Sequence, residues 1–192
     1  MTFNTGDDCI AIKAGRDADG RRVGVPSQNV VVQHCDFADG HGGITIGSEM
    51  TGGVRNVYAR DLAMNSANLQ SGHRLKTNML RGGYIENTHV YRVRAGTVGG
   101  PLLKIEGDYD NQAGNFPPEV TGINLSGWTV DDCKGIWSIM GTSAGDPVGT
   151  VTLDDIAVTS STAANSAQYV RDLVVTDVTV AGTPVTASSP AA

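Results

Sequence analysis

Aromatic side chains are scarce in this 192-residue chain, at 5% of the total with three Phe, two Trp and five Tyr. Val, Ile and Thr recur instead, together with 25 Gly. That mix excludes a mainly helical reading and points to short strands joined by tight turns. Basic charge is also short: 14 Lys and Arg stand against 20 Asp and Glu, a net charge of −6. A general nucleic-acid binder, which presents a basic face, is thereby excluded, and an anionic partner has to meet a local basic patch. No apolar run is long enough to span a membrane. No signal peptide is visible at Met1, which carries little weight if the chain is a fragment. Cysteine is limited to Cys9, Cys35 and Cys133, an odd count without metal-ligand spacing. These are read as buried or free thiols, with a Cys9–Cys35 disulfide left open. What is present is a 40% hydrophobic content, enough for one folded domain at this length.

The hydrophobic residues carry a repeat. "FNTGDDCIAI" (Phe3 to Ile12) aligns without a gap on "FADGHGGITI" (Phe37 to Ile46), at a spacing of 34 residues. Phe3 falls on Phe37, Ile10 on Ile44, Ile12 on Ile46 and Asp7 on His41. Looser copies follow in "VRNVYARDLAM", "IENTHVYRVRA", "VTGINLSGWTV", "VGTVTLDDIAV" and "VRDLVVTDVTV", several trailed by a second short strand such as "HRLKT" or "PLLKIEG". One such unit cannot bury its own inner face, but stacked copies can. An all-β fold is expected, a parallel β-helix, in preference to a β-sandwich. Asn29, Asn56 and Asn87 recur in register and fit a polar ladder at the rung corners. Rungs are expected over 1–182 and a disordered tail over 183–192. Phe3 lacks the strand that precedes Phe37, so the chain is expected to begin inside a rung, with N-terminal rungs missing. An uncapped solenoid end of that kind invites self-association.

Strand parity places the chemistry. If the four Ile point inward, Asp7 and His41 share the outward face in adjacent rungs, about 4.8 Å apart. Asp8 has the inward parity, and a buried unpaired carboxylate is costly, so it either turns outward at the bend before the strand or is paired. In "HRLKT" Leu75 is inward, and Arg74 and Lys76 flank it on the outside. Carboxylates can supply the acid and the water-activating base of glycoside hydrolysis, His41 can orient the acid, and Arg74 with Lys76 can hold sugar carboxylates. The pattern supplies its own control. Asp131–Asp132–Cys133 and Asp154–Asp155 repeat the acidic pair without basic or imidazole neighbours, and such isolated pairs read as turns or caps. His34, His73 and His89 read as surface or strand-edge groups. Trp128 and Trp137 read as packing residues or distant sugar platforms.

"NTGDDCIAIKAG", "GHGGITIGS" and "RLKT" together resemble the polygalacturonases, the pectin-degrading family 28 of the glycoside hydrolases. "GRDADGRRVGVPSQNVVV" and "EMTGGVRNVYARD" are most similar to its bacterial exo-acting branch. The resemblance runs from Phe3 to about Glu86. It implies a right-handed parallel β-helix and inverting hydrolysis of α-1,4-linked galacturonic acid, with no cofactor or metal. By motif, Asp7 matches the general acid, Asp8 one of the water-activating carboxylates, His41 the active-site histidine, and Arg74 and Lys76 the substrate-binding basic pair. Tyr109, in "EGDYD", stands where a downstream substrate-contacting tyrosine is expected. The resemblance also implies a secreted or periplasmic setting and an acidic polysaccharide, polygalacturonate or pectin, as partner. A further catalytic aspartate of an upstream N-T-D-like motif has no counterpart here, so weak or absent activity is expected of this chain. Two rival readings stand beside it: a noncatalytic pectin-binding or structural β-helix, and a calcium-dependent lyase on a similar solenoid.

Overall fold

The structure, a computed structural model, describes residues 1–143 and 145–187. Its strands stack in parallel along three faces, and the repeat seen in the sequence is the repeat of the fold. The first face stacks β2 (Ile10–Ile12), β5 (Gly42–Gly47), β7 (Ser71–Lys76), the end of β8 (Tyr84–Glu106), the end of β9 (Glu119–Met140) and β11 (Ser166–Gln168). One inward column on it runs Ile12, Ile46, Leu75, Ile105, Ile139 and Ala167. The second face stacks β3 (Ser27–Gln33), β6 (Val54–Ser66), β8, β9, β10 (Val148–Ser161) and β12 (Val170–Val180). Its inward column is Val32, Ala59, Val90, Leu125, Leu153 and Val175. The third face carries β1 (Thr2–Asn4), β4 (Asp36–Asp39) and later parts of the long strands. There Phe3 pairs with Phe37 and Phe37 with Met64, as the aligned phenylalanines require. Strands as long as β8 turn corners within one element, so each spans most of a rung.

Small apolar side chains fill the interior. Phe37, Ile44, Ile46, Leu75 and Leu103 are fully buried, and Trp128 and Trp137 are packing residues of this core. Indole Nε1–H of Trp128 donates to the Val90 carbonyl, satisfying its one polar group. The corners are built from residues in the left-handed region. Asn29, Asn56 and Asn87 have φ of 58°, 56° and 54°. Their side chains form the expected ladder, Asn56 Nδ2 donating to Asn29 Oδ1 at 3.0 Å and Asn87 Nδ2 to Asn56 Oδ1 at 2.7 Å. A second corner stacks His34, Asp61, Arg92, Gly127, Asp155 and Asp177, all at positive φ. Asp155 is thus a turn residue, as its isolated pair suggests. Asp131 is not: it lies inside β9 and accepts from Arg94. Cys9, Cys35 and Cys133 are free thiols, so no Cys9–Cys35 bridge forms.

Two departures from the rung pattern matter. "DADGRRV" forms a short helix, α1 (Asp17–Val23), closed by Gly24 at φ 62°. At the other end Thr183–Pro184 forms β13, antiparallel to β12, where a disordered tail is expected from the composition. Residues 188–192 of that expected tail lie outside the described residues.

Candidate active site

The site is built on the first face, where β2, β5, β7 and the end of β8 lie side by side. Asp7 and Asp8 occupy the bend just before β2. Thr5 Oγ1 donates to the Asp7 carbonyl at 2.7 Å, and the Asp8 amide donates to Asp7 Oδ1 at 2.8 Å. His41, one rung on, donates its amide to the Asp7 carbonyl at 2.9 Å. Its Nδ1 lies 3.2 Å from Asp7 Oδ1. The stacked Asp7–His41 pair deduced from the repeat is therefore present, and it is open to solvent, Asp7 being 84% exposed at the side chain. The Asp8 amide, opposed by slight burial and helped by His41 and Lys76, holds the Asp7 carboxyl below the usual range.

Asp8 takes both courses that parity left to it. It turns to the outer side at the bend and is paired: Oδ2 accepts from Lys76 Nζ at 2.7 Å, with the two side chains only 6% and 8% exposed. Its other oxygen, Oδ1, is buried and has no hydrogen-bond partner among the described residues, as is true of Thr45 Oγ1. Both lie over Gly42, whose missing Cβ makes room for them: a Cβ there would sit 2.2 Å from Thr45 Oγ1 and 2.9 Å from Asp8 Oδ1. The second glycine of "GHGG" is thus needed for space, with its backbone in an ordinary conformation.

Arg74 and Lys76 do flank Leu75 on the outer side, yet both are buried, in contrast to a solvated strand face. Asp8 covers Lys76 from two rungs back, and Arg74 is covered from its own rung and the next. Glu106 Oε2 accepts from Arg74 Nε at 2.7 Å, and Gln70 Oε1 accepts from Arg74 Nη1 at 3.1 Å. Lys104 Nζ also reaches Glu106, at 2.8 Å. The Tyr109 ring, in a single 3-10 turn (Tyr109–Asn111), lies 5.4 Å from Lys76 Nζ. Burial, with the charges of Asp110, Glu106 and Asp8 against Arg74, raises the Tyr109 hydroxyl above its ordinary value. The structure therefore brings together all six residues singled out from the sequence: Asp7, Asp8, His41, Arg74, Lys76 and Tyr109. Glu106, Lys104 and Gln70 were not among them. The signal for two of these is in the sequence, since laying "HRLK" over "LKIE" puts Lys104 beside Arg74 and Glu106 beside Lys76.

His73 corrects the sequence reading. It is no surface group but fully buried, because the strand period that turns Leu75 inward also turns His73 inward. Behind the site, Arg81 is 1% exposed and holds the loops together, bonding Asp17 Oδ1 at 2.6 Å and the Ser48 carbonyl at 3.0 Å.

Beside His41 lies a cleft of about 220 Å³ lined by Thr5, Gly6, Asp39, Gly40, Asn68 and Gln70, rich in partners for sugar hydroxyls. A larger concavity of about 740 Å³ lies at the second corner, around Asp61, Arg92 and Trp128. Its two arginines are already paired, Arg92 to Asp61 at 2.7 Å and Arg94 to Asp131 at 3.0 Å. Of the six residues above, His41 lines the smaller cleft and none lines the larger concavity.

Known proteins resemble this chain in sequence and fold. Residues 1–185 match the model of glycosyl hydrolases family 28. A probable polygalacturonase of Vitis vinifera is 33% identical over 126 residues, covering 62% of this chain and 25% of that protein. A polygalacturonase of Ralstonia nicotianae is 34% identical over 137 residues, covering 70% of this chain and 24% of its own length. The chain thus spans about a quarter of the curated relatives it matches. Among solved structures, a hyperthermoactive exopolygalacturonase of Thermotoga maritima superposes with a TM-score of 0.80 at 33% identity, over 91% of this chain and 40% of that one. A family 28 exopolygalacturonase of Yersinia enterocolitica, at 19% identity and a TM-score of 0.77, shares the fold over 92% of this chain and 33% of its own. With the family model matched along nearly the whole parallel β-helix, this chain belongs to the glycosyl hydrolases of family 28.

Proposed function

We propose that the first face is a polygalacturonan site, built to hydrolyse α-1,4-galacturonosyl linkages in pectin with inversion. The observation that carries this reading is the clustering of an exposed Asp7–His41 pair, a buried Asp8–Lys76 pair and Arg74 in three adjacent rungs. Asp7 is the acid. In the free protein its carboxyl is held low, so it can donate a proton only when a bound sugar excludes water and raises it. Asp8 is a water-activating carboxylate, and Lys76 fixes its orientation through Oδ2. His41 orients Asp7, Arg74 holds a sugar carboxylate, and Tyr109 forms the wall over Lys76.

The carboxylates bonded within this cluster, among the described residues, are Asp7, Asp8 and Glu106, and Glu106 is committed to Arg74 and Lys104. Asp39 in the adjoining cleft is likewise committed, to Ser66 and Asn68, so a second water-activating carboxylate is not supplied among the described residues, and the activity of the chain by itself is weak or absent. This favours, as a second reading, a site in this chain that mainly binds the acidic polymer. Secretion or a periplasmic setting follows from a polymer that lies outside the cytoplasm. Among the described residues the outer edges of β1, β2 and β3 pair with no further strand, and a second copy of the chain is the partner proposed for that end.

Calorimetric titration with polygalacturonate tests the site. Binding is expected at low salt, weakening as salt is added, and lost about tenfold in Arg74→Gln. No binding by the wild-type chain, or the same affinity in the variant, refutes the assignment.

A further inference from the structure

The two cations of "RLK" do different work. Lys76 is committed to Asp8 and is 8% exposed at its side chain. Arg74 instead meets a cation that the motif does not contain. In the sheet register Arg74 of β7 lies beside Lys104 of β8. Neighbouring strands are about 4.8 Å apart, so the two side chains leave the sheet as one patch. Glu106 sits between them. It accepts from Arg74 Nε at 2.7 Å, from Arg74 Nη2 at 3.4 Å and from Lys104 Nζ at 2.8 Å.

Charge and donors are both in excess here. Two cations share one carboxylate, which leaves one positive charge unmatched, while the Lys76–Asp8 pair alongside is neutral. A guanidinium has five N–H donors and an ammonium three. Glu106 takes two from Arg74 and Gln70 takes one, leaving two; Glu106 takes one from Lys104, leaving two. The patch is half-enclosed, with side-chain exposures of 10% for Arg74, 19% for Glu106 and 29% for Lys104. Water is thinned there but a ligand can still reach the lysine.

We propose that Arg74 and Lys104, joined by Glu106, form the receptor for a carboxylate of the substrate sugar, in place of the Arg74–Lys76 pair. Glu106 occupies the Nε side of the guanidinium, so it fixes the plane in which the remaining N–H groups point. A methyl ester presents no charge to this patch, so only binding of the acidic form should depend on Lys104. The inference rests on the reading of this face as an acidic-sugar site.

The test compares wild type, Lys104→Met and Lys104→Arg, titrated calorimetrically with polygalacturonate and with its fully methyl-esterified form at low salt. Methionine keeps the apolar stem and removes the charge. Lys104→Met is expected to bind the acidic polymer about tenfold more weakly and the esterified polymer unchanged, the loss expected from one charge-assisted hydrogen bond. Lys104→Arg is expected to stay within about threefold of wild type. Acidic-polymer binding by Lys104→Met equal to wild type overturns the inference and leaves the acidic-sugar reading intact. Equal weakening toward both polymers also overturns it, because the charge is then irrelevant. Absence of binding in the wild type overturns both readings.

Discussion

Acidification should destabilise this protein through His73, a residue buried behind the candidate site. His73 lies inside the solenoid, fully buried. Its Nδ1 is 2.9 Å from the Ile44 carbonyl, which can only accept, so Nδ1 carries the proton. Nε2, 3.2 Å from Thr88 Oγ1, is then the acceptor from the hydroxyl. The neutral ring satisfies both of its nitrogens. A second proton would place a charge in the core, and burial, partly offset by the Ile44 bond, pushes the group down from 6.5 to about 4. The unfolded chain binds that proton near pH 6.5, well before the folded one does. Stability from this group is therefore complete above pH 6.5 and is lost progressively as pH falls toward 4. At about 1.4 kcal/mol per pH unit, the full loss is about 3 kcal/mol, a large share of a typical domain's stability. Urea unfolding at several pH values between 7.5 and 4, for wild type and His73→Gln, isolates this contribution from the carboxylates, which titrate in both proteins. The wild-type curve should fall about 3 kcal/mol further than that of the variant. Parallel curves would show that His73 does not carry the effect.

Two further outcomes follow from the packing. Gly42→Ala puts a Cβ 2.2 Å from Thr45 Oγ1 and 2.9 Å from Asp8 Oδ1. It should cost about 1–3 kcal/mol in urea unfolding and break the Asp8–Lys76 contact, visible in a crystal structure of the variant. Asn56→Ala removes the middle of the ladder and places alanine at φ 56°, for a loss of about 2 kcal/mol. Asn56→Gly, which tolerates that backbone, should lose less, and equal losses would mean that conformation plays no part.

Much of this was legible because a solenoid turns sequence spacing into spatial neighbourhood. The 34-residue offset that pairs Phe3 with Phe37 and Ile10 with Ile44 also puts Asp7 beside His41, and the structure holds all three pairs. Parity likewise puts Arg74 and Lys76 on the outer side. It says nothing of what covers an outer side chain. Lys76 reaches back two rungs to Asp8, 68 residues away, and Glu106 closes over Arg74 from the rung beyond. Such contacts depend on side-chain length and on the turn at Tyr109, and neither has a period. His73 is a different case. Its inward direction follows from Leu75 two residues on, and a polar ring in an inward column was readable as a buried, paired group. The turn at Asp155 followed from its residue type, whereas Asp131 shows that the same type in a strand is held by a cross-strand cation, Arg94.

The most direct test of the central claim is proton NMR of the anomeric signals during incubation of the chain with polygalacturonate. Inverting hydrolysis through Asp7 and Asp8 predicts slow growth of reducing ends that appear first as the β-anomer, and no growth with Asp7→Asn. New ends appearing first as the α-anomer, unsaturated ends, or turnover unchanged by Asp7→Asn would contradict it.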